Sequence, residues 1–326
     1  MVNAEPLRMQ TGVTHDVCDQ EHALPGWTQD YRQLAPGRFV GEVSEMAARG
    51  MRLFREVTNL RLQQYTAPPP GTIVLGMPLP DSEPARFEGK TVGEGDVLLF
   101  SQSTPTEFMC SGLMNVIAVS VECDFLRDMK LVLPDLGELR GNGAFFSPLA
   151  VELRSWLYWL MDDLSRDDRQ RADPRRNGAF QLAIWDRCVL ALEAMLASRR
   201  DGGRGLVPSQ RHALVNRVRE YVRAHPDDLM SVAQIAQALG VSTRMLEYCF
   251  ADVVGISPNA YLRMIRLNAA RRELLAADPR ATTVAEVAMN HGFWHLGRFS
   301  TYYNQMFGEK PSDTLRQTGR LRAPIA

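Results

Sequence analysis

Two stretches in the last third of the chain, SVAQIAQALGVSTRMLEYCF (231–250) and VAEVAMNHGFWHLGRFSTYY (284–303), repeat one device. Each has an alanine, a glycine four residues later, and then an apolar anchor. In the first copy these are Ala236, Gly240 and Leu246. In the second they are Ala288, Gly292 and Phe299, the anchor lying one residue further from its glycine. A small side chain lets two helices cross closely, a glycine supplies a tight turn, and the anchor fixes the second helix in a core. Each copy therefore predicts a helix-turn-helix, with Ser242 capping the second helix of the first unit. The segment from Pro258 to Ala277 has no internal Gly or Pro and opens with proline where a helix can start, so a rigid helical spacer is expected between the copies.

Helical periodicity divides each second helix into an inner and an outer face. Leu246, Cys249 and Phe250 point inward in the first, leaving Thr243, Arg244, Glu247 and Tyr248 outside; Phe299, Tyr303 and Met306 point inward in the second, leaving His295, Leu296, Gly297, Arg298, Thr301 and Tyr302 outside. An anchored apolar face with a short polar outer face suits a helix that enters the major groove of double-stranded DNA. Arg244 and Arg298 can donate to guanine or a phosphate, Glu247 can accept from a cytosine amine, and Tyr302 suits a backbone contact. Gly297 costs about 1 kcal/mol of helix propensity relative to Ala. The competing reading of each residue is a solvated helix position. Charge agrees with both: from Pro208 onward there are 15 Lys and Arg against 10 Asp and Glu, while the residues before it carry 22 against 28.

The run GVS…L…F…G.SP..YL…RL..A…L, followed by VAEVA…GF…GRFS..Y…FGEKPS, resembles the DNA-binding domain of the AraC/XylS family of bacterial transcription regulators. The positions that carry it are Gly240 to Ser242, Leu246, Phe250, Gly255, Ser257, Pro258, Tyr261, Leu262, Arg266, Leu267, Ala270 and Leu274, then Gly292, Phe293, Arg298, Phe299, Phe307, Gly308, Pro311 and Ser312. The resemblance covers roughly the last third of the chain. It implies a seven-helix domain whose two recognition helices enter successive major-groove segments, with RNA polymerase as a further partner. It also implies a preceding cupin-like effector barrel and dimerising helices.

The first two thirds have that element order. From about Gly37 to Glu122 short segments rich in Val, Leu, Ile, Phe and Thr alternate with PPPG, PLPDSEP and GEGD turns, the pattern of a small antiparallel β-barrel or sandwich. Two amphipathic helices follow within 146–198. One carries Leu149, Leu153, Trp156 and Leu160, and the other Trp185, Cys188, Leu192 and Met195; the barrel or the same helices of a second subunit must cover these stripes. RRDGGRGLVP (199–208) reads as a linker. The expected fold class is α+β, with an effector-binding and dimerisation domain over 1–198, the linker, and a DNA-binding domain over 209–326.

Ligand chemistry narrows the function. A metal-dependent cupin needs histidines inside its barrel, whereas the two histidines before the linker, His15 and His22, are expected ahead of the strands. His291 and His295 have the i, i+4 spacing of a zinc pair, but Gly292 follows His291 as a turn residue, placing the two on different helices. An alkylation-repair methyltransferase of the Ada type needs four cysteines near its start, where only Cys18 lies. The expectation is no catalytic site, metal or cofactor, and a regulator controlled by a small effector, with a regulator lacking an effector as the alternative. No effector residue is fixed by sequence. Trp27, Tyr31, Arg55, Glu56 and Gln63 are offered as pocket residues against their reading as packed rings or rim ion pairs. The five scattered cysteines look like reduced thiols, and with neither a long apolar run nor a secretory leader a cytoplasmic protein without membrane contact is expected.

Overall fold

The computed structural model describes residues 8–128, 130, 142–166, 174–200, 210–226 and 228–317. It divides into one unit of Met1–Tyr31 and Phe39–Gly205 and another of Arg32–Arg38 and Leu206–Ala326. The strands, in the first unit save for the last two residues of β2, are β1 (Arg8–Thr14), β2 (Thr28–Gln33), β3 (Gly41–Ala48), β4 (Met51–Thr58), β5 (Leu62–Ala67), β6 (Thr72–Pro78), β7 (Ala85–Phe87), β8 (Lys90–Val92), β9 (Asp96–Phe100), β10 (Thr106–Cys110), β11 (Met114–Glu122) and β12 (Gly143–Phe146). They form one sheet in the order β1-β3-β4-β11-β6-β9-β12 and another in the order β2-β5-β10-β7-β8. The antiparallel β unit expected from the sequence is present as two sheets, neither of which closes on itself.

Side-chain alternation gives the larger sheet two apolar faces. Leu53, Leu75, Leu99, Ile117 and Val119 share one core, and Phe54, Val74, Leu98 and Ala118 share another with Phe87, Phe108 and Cys110 of the smaller sheet. The second core is the interior of a sandwich. The first is covered by α3 (Ala150–Arg166) and α4 (Pro174–Arg200), which follow the short helices α1 (Val17–Gln20) and α2 (Cys123–Asp128). Trp185, Cys188, Leu192 and Met195 of α4 are all buried there, as are Leu153, Leu157, Leu160 and Leu164 of α3. Each such side chain contributes about 1.5–3 kcal/mol on burial.

Three expectations are corrected. The sheets extend beyond 37–122, because β1, β2 and β12 belong to them. β1 is mostly exposed, so it lacks the apolar alternation that marks a strand, and β2 is dominated by polar residues. As a result His15 and His22 fall after β1 rather than ahead of the strands, and both are exposed. In α3 the inner position is Leu157, while Trp156 is half-buried with the Arg187 guanidinium 4.4 Å from its ring centroid. The expected linker lies outside the described residues from 201 to 208, and its first two residues end α4.

The second unit contains seven helices among the described residues: α5 (Gln210–Ala224), α6 (Val232–Ala238), α7 (Thr243–Val253), α8 (Pro258–Ala276), α9 (Val284–Asn290), α10 (Leu296–Phe307) and α11 (Pro311–Arg316). Ser257 caps α8 and Pro258 opens it, and the helix serves both halves of the unit. Tyr261 packs on Phe250 at 5.4 Å, while Leu267, Ala270 and Leu274 join Ala288, Phe299 and Tyr303 in a second core.

Candidate nucleic-acid interface and interior cavity

The two turns are built from the same parts. Ser231 and Gln234 form a capping box at the start of α6, and Thr283 and Glu286 form one at the start of α9. In α9 the Thr283 hydrogen bonds hold the Glu286 carboxyl below its ordinary pKa. Ala236 and Ala288 are buried, Gly240 and Gly292 take φ of +67° and +76°, and the next amide in each unit donates to the alanine carbonyl at 2.9 Å, Val241 to Ala236 and Phe293 to Ala288. This pattern closes a helix end onto a left-handed residue.

The units then differ by one residue. Ser242 caps α7, its hydroxyl accepting from Met245 N at 3.1 Å. The equivalent position before α10 is His295, which makes no side-chain cap. The extra residue is Trp294, 71% exposed. After it the repeat resumes at a constant offset, with Phe250 matched by Tyr303, Gly255 by Gly308 and Pro258 by Pro311.

On α7, Leu246, Cys249 and Phe250 are buried, and Thr243, Arg244, Glu247 and Tyr248 are exposed. The Tyr248 ring has the Arg211 guanidinium 4.5 Å from its centroid, and Arg211 also pairs with Asp252 at 3.1 Å. On α10, Phe299, Tyr303 and Met306 are buried, and Leu296, Gly297, Arg298 and Thr301 are exposed, with His295 just before them. Tyr302 differs from its expected place: it is half-buried with the Arg263 guanidinium 4.5 Å from its ring centroid, because it packs at the edge of the core. The Thr301 hydroxyl donates to Gly297 O at 2.9 Å, which turns its hydrogen back into the helix.

His291 is the residue after α9, with Nε2 2.6 Å from Glu273 Oε2, so the two histidines of HGFWH do flank different helices. Met245, Trp294, Asn304 and Gln305 are exposed on or beside the same helices and were not singled out from sequence. The signal for Trp294 was the one-residue lag of Phe299 behind its glycine.

A buried cluster fixes α10 in place. Arg271 of α8 pairs with Glu309 at 2.9 Å and lies 4.6 Å from the Phe307 ring centroid; Tyr303 donates to Thr314 at 2.8 Å, and Thr314 donates to Glu309 at 2.5 Å. Burial pushes the Tyr303 hydroxyl well above its ordinary pKa.

Between the two sheets of the sandwich lies a half-open cavity, with about 450 Å³ of atom-free space when the solvent at its mouth is included. Its wall is largely apolar and aromatic, including Phe54, Phe100, Phe108 and Trp27, which meets Phe54 and Phe100 edge to face at 5.6 and 5.8 Å. Its polar lining is Gln29, Tyr31, Glu56, Gln64 and Thr66. Gln20 Nε2 and the Tyr31 hydroxyl both donate to Glu56 Oε1 at 2.8 Å, and Gln29 Nε2 donates to the Tyr31 oxygen at 2.7 Å. Burial raises the Glu56 pKa against the lowering effect of these two donors, and burial followed by the Glu56 charge raises that of Tyr31. Of the five residues offered from sequence, Trp27, Tyr31 and Glu56 line this cavity. Arg55 bonds Asn115 on the helix-covered face of its strand, and Gln63 bonds Glu107 and Tyr65; neither lines it.

A family profile described as "Helix-turn-helix domain" matches residues 235–317. Over 97 residues the chain is 43% identical to the "Probable thc operon regulatory protein" of Rhodococcus erythropolis, covering 30% of this chain and 29% of that one. Over 101 residues it is 35% identical to the "XylDLEGF operon transcriptional activator" of Pseudomonas putida, covering 31% and 32%. A solved structure, a probable AraC family transcriptional regulator from Rhodopseudomonas palustris, is 36% identical over 32% of this chain and 95% of its own, with a TM-score of 0.29. The C-terminal region is an AraC-type helix-turn-helix domain. The chain spans about a third or less of the length of the two named operon regulators.

Proposed function

We propose that the chain is a sequence-specific DNA-binding transcription regulator whose N-terminal unit binds a small effector. The observation that carries this is the duplicated turn, which anchors two helices on one spacer and leaves Thr243, Arg244 and Glu247 on one and Arg298 on the other free of the core. An N-terminal pair of amphipathic helices supports self-association: Tyr158, Trp159 and Leu190 remain exposed on α3 and α4 after the sheet has covered their inner stripes. We read the protein as a cytoplasmic homodimer that contacts RNA polymerase, acting as an activator in the manner named for the XylDLEGF relatives, and not as an enzyme. No helix among the described residues is long and apolar enough to cross a membrane.

Chromatin immunoprecipitation with sequencing tests the main reading. Discrete sites, each protected by the purified protein over two adjacent major-groove segments, are expected. Diffuse, salt-sensitive binding without enriched sites would remove it.

A further inference from the structure

We infer that the sandwich cavity takes a small, largely apolar ligand bearing one protonated amine. This deepens the effector reading above and rests on it only for its regulatory consequence. The first support is what the cavity lacks: no Lys, Arg or His is among its lining residues, so a carboxylate or phosphate ligand finds no counter-charge there. The second is that its wall is mainly aromatic and aliphatic, so a ligand with many hydroxyls would leave most of them unpaired.

The third support is the set of unused hydrogen-bonding atoms. The Tyr31 hydroxyl has one hydrogen, which goes to Glu56 Oε1, so its oxygen must accept from Gln29 Nε2. That fixes the Gln29 amide and leaves Gln29 Oε1 as a buried acceptor with no partner. The Thr66 hydroxyl, also a lining group, is buried without a partner as well. Glu56 Oε1 already accepts twice, from Gln20 and Tyr31, while its second oxygen has no hydrogen bond among the described residues.

One carboxylate oxygen, one amide oxygen and one hydroxyl oxygen with unused acceptor capacity thus belong to residues that line the same largely apolar cavity. An ammonium group has three N–H donors and the charge that a buried carboxylate lacks. The rings of Trp27, Phe54 and Phe100 in the lining offer aromatic surface of the kind that attracts a cation. Burial disfavours the ionised form of Glu56 in the ligand-free protein, and a cation bound beside it would favour that form.

Calorimetric titration of the full chain with 2-phenylethylamine, hexylamine and 3-phenylpropylamine tests this, beside 2-phenylethanol and 3-phenylpropionate as neutral and anionic counterparts. At least one amine is expected to bind about 10- to 100-fold more tightly than the alcohol, a ratio set by one charge-assisted hydrogen bond, and the propionate is expected not to bind. In Glu56→Gln, which retains an acceptor for Gln20 and Tyr31, the preference for the amine should vanish while alcohol binding persists. Thr66→Val should weaken the amine without abolishing its preference. Equal affinity for amine and alcohol, tighter binding of the propionate, or no binding of any amine would each overturn the inference.

Mobility-shift titration of a recovered operator separates the two readings. An amine that binds the cavity yet leaves operator affinity unchanged keeps the ligand class and removes effector control. An operator response to the propionate alone does the reverse.

Discussion

Replacing Arg271 by methionine removes the guanidinium that joins α8 to α10 and α11 while keeping an unbranched apolar stem in its place. The side chains of Arg271 and Glu309 are only 8% and 22% exposed, so the carboxylate left behind is poorly hydrated. Removing one partner of a fully buried pair costs about 3–5 kcal/mol. Residual exposure of Glu309 and its hydrogen bond from Thr314 reduce this to about 2 kcal/mol. Loss of the cation over Phe307 adds about 1 kcal/mol.

The expected total, about 3 kcal/mol, corresponds to roughly a hundredfold in an opening equilibrium. Because the chain has two units, a global melting curve would mix their transitions. Hydrogen exchange followed by mass spectrometry on a peptide covering α10 isolates the effect, and its amides should exchange about a hundredfold faster. Glu309→Gln alone should cost less, and adding it to Arg271→Met should add little, because the pair is then already broken. Protection of α10 within about threefold of the parent would show that the cluster does not hold the helix.

Other outcomes follow from the same geometry. Arg298→Ala should weaken specific operator binding by about 1–3 kcal/mol if its guanidinium reads a base, whereas a phosphate contact would lower affinity uniformly across sequences and flatten the salt dependence; Arg244→Ala is the matching test on α7, and both are read by mobility shift. Gly297→Ala, where an added Cβ meets nothing within 4 Å, should stabilise α10 by about 0.5–1 kcal/mol in hydrogen exchange, and a concurrent loss of operator affinity would indicate close backbone approach to DNA. Glu56 has a raised pKa, so its contribution to stability is fully present below its unfolded value and is lost as pH rises through the folded value. Hydrogen exchange of a peptide covering β4 at stepped pH, corrected for the intrinsic pH dependence of exchange, should therefore show the parent losing protection over that interval and Glu56→Gln losing less; parallel curves would refute the assignment.

The helical repeat was legible because its signals are backbone requirements. Gly240 and Gly292 mark left-handed turns, and Ala236 and Ala288 mark close crossings, whatever surrounds them. The outer faces of α7 and α10 followed from the same periodicity, but Tyr302 did not, since a half-covered ring at the edge of a stripe has no period of its own. In the β unit, alternation separates the two faces of a strand without saying what lies over either. Leu53 and Phe54 are both apolar neighbours on β4, yet one packs under the helices and the other walls the cavity. Gln29, Gln64 and Thr66 were missed for this reason: a polar residue in a strand reads as solvent-facing until a second sheet is seen across from it. β1 and β2 were missed because edge strands need no continuous apolar face.

Helix α8 sets a limit on the DNA that the proposed regulator can read. Its 19 residues span about 28 Å, with both helix-turn-helix cores built directly on it and Arg266 bonded to Met230 O at 2.7 Å. A spacer of this kind cannot stretch or rotate to follow a variable site. One inserted base pair turns the second contacted segment by about 35° around the DNA axis, so a binding site should tolerate single base changes far better than single insertions between its halves. In a genome search, the phase between the two short words would then discriminate true sites more sharply than the letters of either word.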